Sequence, residues 1–343
     1  MELIPLSQYA RRLKAELPPS TFAPALSRLW WLPLHLTVIT VATIAIAKGW
    51  VPWPLLPVVA LVIGMSFGGI TFVAHETLHG GIVRTRWLRH AIGWIGFAPF
   101  MVSPRLWQVW HNREHHGKTN QGRSDPDMYP SIDDYRASRM VQVVTDGFAL
   151  GGRRWTGVLS LLFGYTGQSK QILFSARGRG WLSPGAFAVV IIETVVALAL
   201  WVAVAWLIGP LAFVFAYVLP LIVGNVIVMG FILTNHGLSP VTPINDPLAN
   251  SLSVRLPRLL EWLTLGFGYH TEHHLFPAMS TRHAPAVRDA LLRHWPERYQ
   301  SLPLTTALLE LHRTARVYRD AQTLTDPRSG SAWPTLAPRA PSA

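Results

Sequence analysis

Four stretches of this chain carry almost nothing but apolar residues, at about 30–47, 54–74, 186–208 and 211–234. A helix of roughly 20 mostly apolar residues is what it takes to cross a bilayer's hydrocarbon. The first two stretches are joined by Lys48–Trp53, where Pro52 and the following Pro54 suit a turn, and the last two by Gly209-Pro210. Each pair predicts a helical hairpin with a minimal outer loop. Two further stretches, at 91–102 and 158–174, are too short or too interrupted to span and predict interfacial or re-entrant helices. The expected fold class is an all-α integral membrane protein: four transmembrane helices in two hairpins, interfacial helices and a cytoplasmic helical cap.

Charge tests that layout independently. The arm before the first span holds four Lys or Arg, the segment 80–184 holds fourteen, and the region after Thr234 holds eleven, which leaves only Lys48 in an outer loop. Basic residues concentrate on the cytoplasmic side of membrane proteins. Both termini and the long middle loop are therefore expected in the cytoplasm. The Met1–Ser20 arm lacks an apolar core ahead of a cleavage site and predicts no secretory signal. Three regions follow: an arm at 1–29, a single domain at 30–324, and a Pro-, Ala- and Ser-rich tail at 325–343 that predicts disorder.

Composition narrows the chemistry. Only 14% of residues are charged and none is cysteine, which excludes disulfides, thiolate metal sites and a cysteine nucleophile. The net charge of +12 would suggest nucleic acid on a soluble chain; beside these apolar runs it points to anionic headgroups, with no nucleic-acid partner. Arginine outnumbers lysine strongly, as in GC-rich bacterial genomes, and suggests a bacterial plasma membrane.

Fourteen histidines are the unusual feature, and nine of them cluster. His75 and His79 end the second span, His111, His115 and His116 lie in the middle loop, His236 ends the fourth span, and His270, His273 and His274 follow. All nine fall on the predicted cytoplasmic side. Residues three and four apart share a helix face, so His75 pairs with His79 and His111 with His115, while His116 is turned toward a neighbouring ion. Nine imidazoles exceed one ion's capacity, which suggests two metal ions close together. Imidazole suits iron, copper, zinc or nickel. For His35, His90, His283, His294 and His312 an ordinary surface or core role is the expectation.

The fragment His75-Glu76-Thr77-Leu78-His79 also matches HExxH, the zinc-protease helix whose glutamate is the base. That alternative leaves the other seven histidines idle. A non-catalytic metal-binding or metal-transport protein is a further alternative.

On these residues the chain resembles the membrane fatty acid desaturases, a superfamily that also contains hydroxylases and ketolases. The likeness runs from the first span to about Pro277 and rests on three histidine boxes in order, two hairpins and the extra His236. His270–Pro277, HTEHHLFP, is similar to the third box of acyl-chain desaturases; front-end desaturases often carry glutamine at the place of His270. The second box departs from the commoner pattern, with three residues rather than two between His111 and His115. The His-Pro-Gly-Gly motif of a fused cytochrome b5 domain does not occur.

The resemblance implies two iron ions held by the nine histidines, and O2-dependent removal of two hydrogens from adjacent acyl carbons. A hydroxylase or ketolase acting on an acyl chain, sterol or carotenoid is the alternative. The acyl chain is carried by CoA, a carrier protein or a lipid. Two electrons per turnover imply a separate donor such as ferredoxin or cytochrome b5, which the arginine-rich face would steer in. Metal-bound histidines donate their other N–H to a carboxylate or carbonyl, which makes Asn235, Glu76, Glu114, Asp125, Asp127 and Glu272 the candidate supports. Trp107 and Trp110 are expected as packing or interfacial residues. Glu193, inside the third span, is expected to face a cavity or a partner.

Overall fold

The computed structural model describes residues 2–122 and 125–336. The chain divides into two compact units, one built from residues 24–110 and 162–228, the other from 1–23, 111–161 and 229–343. Among the described residues, four helices are long and apolar enough to cross a membrane: Pro19–Ala47, Trp53–His79, Pro184–Ile208 and Pro210–His236. The protein is a multi-pass membrane protein.

In the unit formed by 24–110 and 162–228, the Leu56–His79 helix is central, with nearly every side chain from Ile63 onward buried. Its glycines make this possible. A Cβ on Gly64 would lie 2.4 Å from Val223 Cβ, and one on Gly68 would lie 3.2 Å from Ile227 Cγ2. Two small residues four apart let membrane helices approach closely when hydrophobicity gives no drive between them. Gly80, at φ 94°, ends the helix one residue after His79 in the left-handed conformation that a side chain would resist. The Arg86–Phe97 helix packs on the same central helix. Val158–Ala176 is also helical but is not among the four membrane-length helices. Glu193 finds a full set of partners here: His90 Nε2 at 2.8 Å, Ser103 Oγ at 2.5 Å and Arg105 Nε at 3.0 Å.

The other unit holds the short helices that carry most of the histidines. Helix Leu6–Glu16 buries Tyr9 and Leu13 in an apolar cluster with Leu275, Phe276, Val287 and Leu291. Below that cluster lies a buried polar knot in which Arg298 Nη2 meets Asp246 Oδ2 at 2.6 Å. Two small sheets supplement the helices. Ser253–Arg255 pairs in parallel with Ser301–Pro303. Val317–Asp320, Thr323–Thr325 and Ala332–Pro334 form an antiparallel sheet in that order. This corrects the expectation of a disordered tail from residue 325. Thr325 and 332–334 are strand, and Trp333 packs against the cluster of Ala315, Tyr318 and Leu324. Backbone pairing and one aromatic anchor outweigh the tail's unfavourable composition. Residues 337–343 lie outside the described residues.

Candidate metal centre

The first box sits on the last turn of Leu56–His79. His75 and His79, one turn apart, have ring centroids separated by 4.8 Å. Trp107, in the same unit, meets both rings edge to face at 5.2 and 5.3 Å. Its role is packing, directed at the two histidines. Glu76 Oε2 lies 2.6 Å from Arg28 Nη1. That ion pair occupies the glutamate an HExxH protease would use, and the protease reading leaves the other seven histidines unexplained.

The second box is not an ordinary α-helix. Gln108–His115 is π-helical, and His116 N donates to His111 O at 2.9 Å, an i→i+5 bond. The wider turn alters which histidines meet. His111 and His116 bring their Nε2 atoms to 3.1 Å, and His273 Nε2 lies 3.1 Å from that of His116. The expected pairing of His111 with His115 is also present: with Asp127 they form a group whose ligand atoms lie within 4.8 Å of one another. Their rings stack at 5.1 Å, and His115 also joins a second set of nitrogens.

That set is His115, His236, His270 and His274, all buried and all in one unit, with ligand atoms within 4.8 Å of one another. His270 Nε2 lies 2.7 Å from His236 Nε2 and 3.0 Å from His274 Nε2. The two sets abut, since the rings of His116 and His274 stack at 4.3 Å.

The outer ring nitrogens fix the tautomers. His236 Nδ1 donates to the carbonyl of Asn250 at 3.0 Å, and a carbonyl can only accept. Thr119 spends its hydroxyl proton on His115 O (2.8 Å), so it accepts from His274 Nδ1 at 3.3 Å. His236 and His274 therefore both turn unprotonated Nε2 lone pairs toward His270. Lone pairs at these distances repel unless a proton on His270 Nε2 or a cation lies among them. Asn235 supplies a second sign: it is fully buried, and neither polar atom of its side chain has a hydrogen-bond partner among the described residues. Buried imidazoles with inward lone pairs and an orphaned amide suit a metal with nitrogen ligands and an open position. These clusters fit a di-metal site.

Of the predicted supports, two carboxylates reach a histidine among these contacts. Asp125 Oδ1 accepts from His115 Nδ1 at 3.0 Å, and Asp127 Oδ2 lies 3.3 Å from the same nitrogen. Burial alone would favour a neutral His115, but the two aspartates outweigh it and raise its pKa to about 9. For Asp125, burial works in the opposite direction, yet His115 holds the carboxyl below its ordinary range. His273 is pushed down to about 3 by burial, with the neighbouring His115 and His236 adding to the effect.

Glu114 and Glu272 are held by other donors. Glu114 accepts from Arg113 Nε and Lys118 Nζ, both at 2.7 Å. Glu272 accepts from Ser253 Oγ at 2.7 Å and Tyr299 OH at 2.6 Å. Both carboxylates are thus occupied by cationic or hydroxyl donors. Thr119 and Asn250 are the supports that sequence reasoning missed. Asn250 acts through its backbone, which residue type cannot reveal, while Thr119 had a faint signal in its place three residues past the second box.

A membrane-spanning chain with two adjoining sets of buried, inward-facing imidazoles is a metalloprotein of the histidine-box type. The sequence pattern of the family described as Fatty acid desaturase matches residues 49–305, three-quarters of the chain, and the chain belongs to that family. It is 26% identical over 287 residues to the sn-1 oleoyl-lipid 12-desaturase of Arthrospira platensis, covering 77% of this chain and 75% of that protein. It is 24% identical over 288 residues to the protein of the same description from Synechocystis, covering 81% and 80%. A chloroplastic omega-6 fatty acid desaturase of Spinacia oleracea is 22% identical over 311 residues, covering 86% and 66%. The resemblance read from the histidine boxes is borne out, and the chain carries the desaturase and hydroxylase superfamily's function on lipid or acyl substrates.

Proposed function

We propose that the protein is an O2-dependent acyl-lipid desaturase that uses two irons held by the three histidine boxes and His236. The observation that carries this reading is the all-imidazole set of His115, His236, His270 and His274 in a chain of this family. When bound, two irons supply the redox chemistry needed to break an unactivated C–H bond, which no side-chain acid or base can do. The reaction balances as two C–H bonds broken and one C=C formed, while O2, two electrons and two protons become two waters. The electrons come from a separate carrier such as ferredoxin or cytochrome b5.

The residues' part is to hold nitrogen donors in fixed tautomers, and Asn250, Thr119 and Asp125 do so from behind the rings. The substrate is taken as an acyl chain esterified in a membrane lipid, and the supporting fact is that two relatives are named for oleoyl lipids. In this reading the four spans pair as two hairpins with both termini and the metal centre in the cytoplasm, which the distribution of Lys and Arg supports.

Expression in a bacterial host of simple lipid composition, fed oleate, followed by acyl profiling of separated lipid classes, tests the reading. A new double bond in glycerolipid chains is expected, and it disappears in His115→Ala. Gain of one oxygen without loss of hydrogen would overturn desaturation. Product confined to CoA thioesters would overturn the lipid-linked substrate.

A further inference from the structure

Helix Arg139–Gly147 is built inside out. Its apolar residues Met140, Val143 and Val144, continued by Phe148, follow the i, i+3, i+4, i+8 spacing of a stripe that normally faces a core. Here that stripe faces outward, with Met140 72%, Val143 48%, Val144 48% and Phe148 45% exposed. Trp155, just beyond, is 81% exposed.

Hydrogen bonds on the polar side enforce this orientation. Gln142 Nε2 donates to Tyr135 O at 3.0 Å, and Tyr135 OH donates to Asp146 Oδ2 at 2.9 Å. Arg154 Nη1 donates to both Asp146 O and Asp146 Oδ1 at 3.0 Å. Ser138 caps the helix by accepting from Val141 N. Thr145, on the inward side, is buried. Rotating the stripe inward would break the contacts to Tyr135 and Arg154 together.

An apolar stripe held outward is a contact surface for something. Its surroundings say what: the exposed Arg136, Arg139 and Arg153 flank it in sequence, and the chain is already tethered to a bilayer by its spans. Apolar side chains and a tryptophan rimmed by arginines describe a helix that lies in the membrane interface, with its cations on anionic headgroups. We propose that the face formed by Met140, Val143, Val144, Phe148 and Trp155 is a monotopic anchor that inserts into the acyl boundary of an anionic leaflet. It adds to the four spans a fifth, non-spanning attachment, on the unit that carries His115, His236, His270 and His274.

The absence of cysteine makes the test direct, because a single introduced cysteine takes one nitroxide label. The full-length protein carrying Val144→Cys is reconstituted in phosphatidylcholine–phosphatidylglycerol vesicles. Asp133→Cys, at an exposed polar position, serves as the aqueous control. Collision with O2 should rise severalfold relative to collision with a water-soluble nickel chelate at residue 144, and not at residue 133. The preference should weaken in phosphatidylcholine alone, or when Arg136 and Arg139 are both changed to Gln. Equal nickel access at the two positions would overturn the proposal. So would shielding of residue 144 from both reagents, which marks a protein partner or a second copy. Val143→Cys gives the same reading should Val144→Cys misfold. None of these outcomes depends on turnover, so they stand apart from the proposed reaction.

Discussion

The Nε2 atoms of His236 and His270 lie 2.7 Å apart, and on the far side of the first ring Nδ1 donates to the backbone carbonyl of Asn250. That carbonyl is held in place by its own side chain: Oδ1 accepts from Asp246 N at 2.8 Å, and Nδ2 donates to Thr242 Oγ1 at 2.7 Å. The tautomer of a metal-facing histidine is thus set by a side chain one residue further from the metal. Asn250→Ala removes both anchors while leaving the carbonyl itself. Outer partners of metal histidines are worth about 10–100-fold in affinity. A loss of that size is expected in chelator competition; unchanged affinity would show that Asn250 only fills space.

Protonation of His115 gives a second expectation. Its pKa, raised to about 9 against an ordinary 6.5, means the metal-free ring keeps its proton through neutral pH. The stability this contributes is full below 6.5 and lost as pH climbs through 9. A metal must displace that proton, so loading should weaken as pH falls from 9, by about tenfold per unit for this one ring. His273, held near 3, is already neutral and releases nothing. Calorimetry of metal binding in two buffers of different ionisation enthalpy should count a proton released at pH 7, and Asp125→Asn should diminish it.

The buried knot beneath the N-terminal helix predicts unequal costs. Arg298 Nη2 meets Asp246 Oδ2 at 2.6 Å, Arg298 Nε donates to Tyr9 OH at 2.9 Å, and Tyr9 OH donates to Asp246 Oδ1 at 3.2 Å. Arg298→Met strands a buried carboxylate, which costs about 3–5 kcal/mol. Tyr9→Phe removes the hydroxyl that bridges Arg298 and Asp246 but leaves their ion pair, at about 1.5–3 kcal/mol. Thermal unfolding in detergent should rank the two variants in that order, and equal shifts would contradict the charge argument.

How much of this was visible in the sequence depends on the distance over which each feature is encoded. The spans were legible because each is a local run: those expected at about 54–74 and 186–208 are helices Leu56–His79 and Pro184–Ile208. The clustering of His115, His236, His270 and His274 could be anticipated because imidazoles are too costly to bury in number without a shared purpose. Asn250 could not, since the group that matters is a carbonyl fourteen residues from its histidine. The donors that hold Glu114 and Glu272 were not legible, because proximity in sequence says nothing about which donor lies nearest in space. The outward stripe of Arg139–Gly147 has an ordinary amphipathic spacing, and only three-dimensional contacts reveal that its polar side is the one turned in.

The π-helical second box supports the boldest prediction. Relative to the commoner two-residue spacing, this chain has one extra residue between His111 and His115, and Gln108–His115 absorbs it by widening the turn. The bond from His116 N to His111 O spans five residues, where an α-helix would span four. Deleting Arg113, which is exposed and bonded only to the neighbouring Glu114 among these contacts, would let the same two residues make the same bond in α register. Glu114, although buried, keeps Lys118 Nζ at 2.7 Å when the exposed guanidinium is lost. The deletion variant should therefore retain metal content within about twofold by elemental analysis, since the geometry that brings His111 to His116 is kept. Inserting one alanine after Arg113 should instead rotate His111 away from His116, and metal content should fall. If the deletion empties the site as thoroughly as the insertion does, the wide turn is itself required, and the extra residue is not merely accommodated.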